Sequence, residues 1–496
     1  RKAQGAHLSA TSIRQALTEV AFCLQKRSEP MAPEARQIYK GAEKMRTPLP
    51  LKITQDENRK VYIPKTIQLK TPIKHILFGT SSSECEVIQV DRQEIKLSED
   101  LFSSLNIPYS STTQVFIHED NLYVGPLVGI FTAGFSESMI RPIGDRTLFF
   151  AKLLAQEKAV GAYVFIFGAK HIDWDKGTIN GIFHSHNGWE TIEVPFPNVV
   201  YDRLPNRRTE KHKALREIKQ RMHHEYLIPW FNPGFFDKWE IHQLLEGNHL
   251  VATYLPETHI SPTFTLIERM LSKYQHVYIK PANGSLGLGI YQVIFDRETE
   301  DYYCRYRDQD GKNRLQRFSS IESFINTHFR NKQLEHYIVQ QGIHLLRSDH
   351  KTIDFRIHTN KDEKGKWQVS VMAGKISGRG SVTTHLNNGG VVRTLTEIFP
   401  DVTECKKISD SLKQAALTLS EVIDSRQKGH IGELGFDLGV DKNGSVWLFE
   451  ANSKPGRSIF SHPKLRKYDK LSSRLPLQYA IYLTETTIKT PEVIFK

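Results

Sequence analysis

Cysteine is scarce: four in 496 residues, Cys23, Cys85, Cys304 and Cys405, with no CxxC spacing among them. That excludes a disulfide framework and a zinc-ligand quartet, and it fits the reducing cytosol. No apolar run approaches the roughly eighteen residues that a membrane-crossing helix needs, and AYVFIF at 162–167 reads as a buried strand. The first residues, RKAQGAHLSATS, lack an initiator Met and the apolar core of a signal peptide, and they read as a processed end. Repeats and low-complexity tracts are missing, as are RRM, zinc-finger and KH signatures, a Walker loop and a Rossmann glycine loop entering a helix.

What remains is the composition of a soluble globular protein, 39% hydrophobic and 25% charged, long enough for two to four domains. The net charge of +12 favours negatively charged partners. Its clusters, Arg207 to Arg216 and Arg305 to Arg317, fit solvated faces or phosphate steering better than nucleic-acid recognition. Pattern divides the chain into a helical extension (1–50), a small β-rich domain (51–125), an α/β domain with a parallel sheet (126–235) and two mixed lobes (236–345 and 346–496). Helices are expected at 147–159, 208–226, 237–245, 264–274, 321–329, 408–424 and 470–487, and YLPETHISPT (254–263) as a loop.

Residues 432–456, GELGFDLGVDKNGSVWLFEANSKPG, read as a hairpin. With Asn443-Gly444 as a two-residue turn, Val440 faces Trp447, Leu438 faces Phe449 and Phe436 faces Ala451 on an apolar face. The other face then pairs Asp437 with Glu450 and Gly435 with Asn452. Opposed like charges destabilise a strand pair, so the three oxygen donors suggest a bound Mg²⁺ that removes the conflict. The competing reading is an exposed polar face on an edge hairpin, and a four-residue loop over 441–444 would separate the carboxylates.

Three further segments carry chemistry. In YIKPANGSLGLGIYQV (278–293) a strand ends at Lys280, whose ammonium would point at phosphates, and a loop with Gly284, Gly287 and Gly289 lets backbone N–H groups approach them, helped by Asn283 and Ser285. TIDFRIH (352–358) sets Asp354 and Arg356 on one strand face and Ile353, Phe355 and Ile357 on the other, and Arg356 is suited to stabilising a transferring phosphoryl group. Arg356 where a kinase DFG has glycine, with no HRD loop before it, argues against a protein kinase. GKISGRGSVTTHLNNGG (374–390) offers Lys375, Arg379, His385, Asn387 and a Gly389-Gly390 turn, which position an acidic substrate or form a polar loop. His184 and His186 read as surface residues, and His223-His224 as a helix C-terminal cap.

Together these motifs resemble the ATP-grasp superfamily. GPLVGIFTA, NVVYDRLPNRR, FNPGFFDKWEIHQLL, YLPETHISPT, YIVQQGI and DFRIH extend the likeness to the endospore coat-associated YheC/YheD family over about residues 55–490. The resemblance implies an ATP-grasp fold, two α+β lobes clamping ATP, preceded by a Rossmann-like pre-ATP-grasp domain and a small β-rich N-terminal domain. It places Lys280 at the α-phosphate, the 283–289 loop over the β- and γ-phosphates, Lys238 facing the phosphates, and Gln340, Gln341, Gly342 and Ile343 as an adenine-reading hinge. Asp437, Glu450 and Asn452 would hold two Mg²⁺ ions, with Glu450 bridging, and Arg356 would steady an acyl phosphate, with Arg379 as a further catalytic candidate. His385 stands where related ligases often carry Asn, and His385, Asn387, Gly389 and Gly390 are the candidate substrate contacts. The implied activity is an ATP-dependent carboxylate–amine ligase with small-molecule or peptide substrates; the alternative is a nucleotide-binding spore-coat-associated structural or assembly protein. Spore-coat proteins are implied partners, nucleic acid and membrane are not, and the expected location is cytoplasmic with spore association.

Overall fold

The computed structural model describes residues 48–55, 58–282, 289–329, 334–378, 381 and 389–496. Short β-prone runs between turn residues, from Leu49–Thr54 to Asn121–Gly125, build an eight-stranded mixed sheet. Next come Leu127–Phe131, Tyr163–Phe167 and Val199–Asp202, every residue of which is buried. Continuous apolar runs of this kind belong to a parallel sheet covered on both faces, and these three strands do pair in parallel, joined at one edge by Trp230–Phe231. The helix expected over 147–159 is broken into Thr147–Leu154 and Glu157–Val160, and that over 208–226 into Arg207–Glu210 and Lys213–His224. His223 and His224 lie in the last turn of the latter helix, and the His223 ring nitrogen meets the Ile494 carbonyl at 2.9 Å.

A third, antiparallel sheet of six strands includes His276–Pro281, Tyr291–Asp296 and Tyr337–Gln341. The helices Phe264–Tyr274 and Ile321–Phe329 bury Ile267, Met270, Leu271 and Phe324 against it. Within the segment expected as a loop, Thr258–Ile260 forms a short strand beside Tyr337–Gln341.

The fourth sheet runs in the order Val391–Arg393, Trp367–Ile376, Lys351–Lys361, Glu433–Val440, Val446–Asn452. Ile353, Phe355 and Ile357 point into its core beneath the helix Val402–Arg426, which turns Asp354 and Arg356 to the opposite face. The last helix, Arg466–Lys489, returns to the parallel sheet, packing Leu477, Tyr479, Ala480 and Leu483 on Val128, Ile130 and Phe150. Among the described residues no helix is long and apolar enough to cross a membrane.

Candidate active site

The hairpin joins Glu433–Val440 to Val446–Asn452, and its turn is longer than two residues. Asp441 and Ser445 close it, the Asp441 N–H donating to the Ser445 carbonyl at 3.0 Å. The Asp441 carboxylate accepts from the Asn443 and Ser445 amides and from the Trp447 indole, and Gly444 takes φ +85°. The extra loop residues shift the register: Val440 pairs with Val446, Gly439 with Trp447 and Leu438 with Leu448. A β-bulge at Phe449 restores it, so that Asp437 faces Glu450 and Gly435 faces Asn452. Phe449 lines the cleft beside Glu450 instead of joining the apolar face.

The facing carboxylates are neutralised by the chain's own cations. Arg356, paired with Asp437 on the neighbouring strand, donates from Nε at 2.9 Å and from Nη2 at 2.8 Å to its two oxygens. Lys375 Nζ lies 2.8 Å from Asp437 Oδ1 and 3.1 Å from Asp354 Oδ1. Burial disfavours the Lys375 ammonium, but the Asp354 and Asp437 charges outweigh it and hold its pKa above the ordinary value. Lys238, in the first turn of the helix Lys238–Glu246, stands 3.6 Å from Glu450. The like-charge conflict expected of this pair is thus relieved within the chain by Arg356, Lys375 and Lys238. Asp437, Glu450 and Asn452 do offer hard oxygen donors suited to Mg²⁺; Glu450 has the greater free capacity, since Asp437 already accepts three hydrogen bonds. No cluster of three His, Cys, Asp or Glu residues suited to a metal occurs among the described residues.

Lys280 lies across the cleft and is 9% exposed. Its ammonium donates to Gln340 Oε1 at 2.7 Å, while Gln340 Nε2 donates to Thr258 Oγ1 at 3.0 Å. Burial, and then the nearby Lys238 charge, bring the Lys280 pKa down to about 7, against the upward pull of Glu450 and Asp437. Within the expected hinge, the Gln341 amide donates to the Glu257 carbonyl and the Gly342 amide to the His276 carbonyl, so neither N–H is open to a ligand. The Gln341 side chain accepts from the Glu257 amide at 3.1 Å. Ile343, with Leu345 and Phe449, gives the cleft its apolar wall, and a side chain at Gly342 would meet the His276 ring.

Gly289 adopts φ +70° beside Pro281, and Gly389 takes φ +77° with Gly390 next to it. Asn283, Gly284, Ser285 and Gly287, with Arg379, His385 and Asn387, lie outside the described residues. His184 packs edge-on to Trp189 in a β-hairpin. Two features escaped the sequence reading. Lys375 and Asp354 are cross-strand partners inside the cleft, a pairing visible only once the strand register is known. Asn232, fully buried, accepts from the Gly432 and Glu433 amides and donates to the Glu433 and Ser453 carbonyls, clamping both ends of the hairpin; its signal was the FNPGFF motif, which carries no chemistry by itself.

A family model described as YheC/D like ATP-grasp matches residues 227–483. The chain is 44% identical over 450 residues to the endospore coat-associated protein YheD of Bacillus subtilis (strain 168), covering 89% of this chain and 98% of that protein. It is 24% identical over 308 residues to the endospore coat-associated protein YheC of the same organism, covering 61% and 82%. Among solved structures it is similar to D-alanine–D-alanine ligase from Bacillus anthracis complexed with ATP, at 12% identity and a TM-score of 0.42, covering 74% and 100%. The chain has the ATP-grasp fold and belongs to the YheC/D-like ATP-grasp family.

Proposed function

We propose that the protein is an ATP- and Mg²⁺-dependent carboxylate–amine ligase. The observation that carries this reading is the convergence on one cleft of Lys238 and Lys280 from one side and of Lys375, held by Asp354 and Asp437, from the other, with Arg356 bound to Asp437 at its border. Four cations against three carboxylates suit a polyanionic substrate such as ATP.

In this reading the γ-phosphoryl group passes from ATP to a substrate carboxylate, giving ADP and an acyl phosphate. An amine then adds to the acyl carbon, the C–O bond to phosphate breaks, and amide and inorganic phosphate leave. Lys280 and Lys238 bind the phosphate chain as cations. Arg356, fixed in orientation by its bidentate contact with Asp437, meets the charge that develops on the transferring group, and Lys375 adds a second cation whose position Asp354 secures. Magnesium held by Glu450, Asp437 and Asn452 would supply charge neutralisation across the phosphates. Positioning and charge carry such chemistry, so it asks for no protein nucleophile.

The test is ADP release from MgATP with pools of amino acids or peptides, together with mass spectrometry for a product lighter by one water than its two parts. The names of the two relatives, both endospore coat-associated, favour a second reading: a spore-associated structural or assembly protein in which ATP closes the lobes without turnover. Tight MgATP binding that Glu450→Ala abolishes, with no turnover on any pool, would decide for it.

A further inference from the structure

Next to the nucleotide cleft, four cations meet two acids at the C-terminal edge of the parallel sheet. Thr132 follows the strand Leu127–Phe131 and Arg203 follows its neighbour Val199–Asp202, whereas Tyr163–Phe167 pairs on the other side of Leu127–Phe131. The strand order therefore reverses between Thr132 and Arg203, and the crevice beyond such a switch point is where open α/β sheets take ligands. Arg146 spans it, donating to Thr132 Oγ1 at 2.9 Å, to the Arg203 carbonyl at 3.3 Å and to the Ala133 carbonyl. No ion pair joins Arg146 to a carboxylate among the described residues.

The neighbouring cations share too few acids. Arg203 pairs with Glu433 at 2.7 Å, while Arg457 and Lys152 both use Asp469, at 2.7 and 2.6 Å. Arg146, Lys152, Arg203 and Arg457 against Glu433 and Asp469 leave a surplus of two positive charges. The guanidinium groups of Arg203 and Arg457 stand 4.9 and 5.6 Å from the centre of the same Phe149 ring, although their side chains keep only 12% and 15% of their exposure. Burial, and then the Arg203 charge, lower the Arg146 pKa, and an anion bound between these groups would relieve that repulsion.

A second observation points to a ligand. His358, 1% exposed and two residues along the strand from Arg356, has an Nε2 with no hydrogen-bond partner. Its ring meets Phe460 edge-on at 5.8 Å, and Arg457 lies 4.8 Å over that same phenyl ring. The charges acting on His358 are those of Arg356, Arg457, Asp437 and Arg203, so it stands at the junction of the nucleotide cleft and the arginine cluster.

We propose that Arg146, Arg203 and Arg457 bind a second carboxylate of the acid substrate, so that the carboxylate activated beside Arg356 belongs to a di- or polyacid. This rests on the ligase reading. The full chain is titrated calorimetrically with succinate, glutarate and adipate and with the half-amide of each, which has nearly the same shape and one charge fewer. At least one diacid binds at least about tenfold more tightly than its half-amide, as expected for a charge-assisted contact. Arg146→Ala removes that preference while leaving MgATP affinity unchanged, and Arg146→Lys retains part of it. If the alanine variant is unfolded, Arg146→Gln decides in the same way. Equal affinity for each pair, no binding of any diacid, or a preference that survives the loss of Arg146 overturns the proposal. With MgATP and hydroxylamine, an acyl phosphate is trapped as a hydroxamate, a C–N bond forming as phosphate leaves. Diacid preference without hydroxamate overturns the ligase reading alone; hydroxamate formed equally from diacid and half-amide overturns the second-carboxylate site alone.

Discussion

In the proposed reading, with Lys280 facing the ATP phosphates, nucleotide binding depends on pH with a definite sign. Its pKa falls from the ordinary 10.5 to about 7, first through burial and then through Lys238. At about 1.4 kcal/mol per pH unit, that depression corresponds to about 5 kcal/mol disfavouring the ammonium in the ligand-free protein. The unfolded chain therefore binds the extra proton between pH 7 and 10.5, and this group makes the free protein more stable as pH rises across that window. Nucleotide binding in that reading has the opposite sign, because phosphate oxygens beside Lys280 would restore its charge. MgATP binding then takes up a proton above pH 7, and its Kd rises by up to about tenfold per pH unit from 7 towards the pKa of the bound state. Two units above the free pKa only about 1% of Lys280 is charged, so binding at pH 9 is expected to be roughly a hundredfold weaker than at pH 6. Calorimetry in buffers of different ionisation enthalpy measures both quantities, with about half a proton taken up at pH 7 and nearly one at pH 8.5. Lys280→Arg keeps its charge and flattens the profile; Lys280→Met binds weakly at every pH. A flat wild-type profile between pH 6 and 9, or an unchanged slope in Lys280→Met, would refute the assignment.

Three other outcomes follow from the geometry. Arg356→Lys keeps one charge but loses the bidentate contact with Asp437, and hydroxamate formation is expected to fall by roughly a hundredfold with little change in MgATP affinity; equal losses in both would deny Arg356 a role specific to the transferring group. Asn232→Ala strands four buried backbone groups at the ends of the hairpin and is expected to cost about 3 kcal/mol or more in chemical denaturation. Glu257, held at a pKa of about 2 by the Tyr274 hydroxyl and then by Lys273 and His259, gives stability that is present above its ordinary 4.5 and lost as pH falls towards 2. Glu257→Gln should flatten that acid limb in thermal melts, and an unchanged limb would contradict it.

The parts of the fold that were legible are those where a period decides the structure. LVGIF and YVFIF, apolar at every position, could only be buried on both faces, and TIDFRIH alternates so that Phe355 enters the core and Arg356 does not. Less of the site was legible, because its contacts run between strands. Lys375 was visible as a cation near a polar loop, but its bond to Asp437 exists because the strand Trp367–Ile376 pairs with Lys351–Lys361 and that strand with Glu433–Val440. Gln340 was expected to act through its backbone; its side chain also orients Lys280, since the two residues lie on adjacent strands two register steps apart and therefore on the same face.

The hairpin shows how a mistaken turn can leave a pairing intact. A two-residue Asn-Gly loop and the observed five-residue loop differ by an odd step of register, which alone would set Asp437 and Glu450 on opposite faces. The bulge at Phe449 reverses that step. Its physical partner is Gly439: a side chain there would run into Leu345 and the Phe449 ring, so glycine provides the space in which the phenyl group turns into the cleft beside Leu345. Gly439→Ala would press on that ring and favour a hairpin without the bulge, in which Glu450 no longer faces Asp437. The variant should therefore lose MgATP affinity while Trp447 stays packed in the hairpin, a combination that intrinsic fluorescence and calorimetry can separate; unchanged affinity would show that the bulge is set by the Asp441 loop rather than by the glycine.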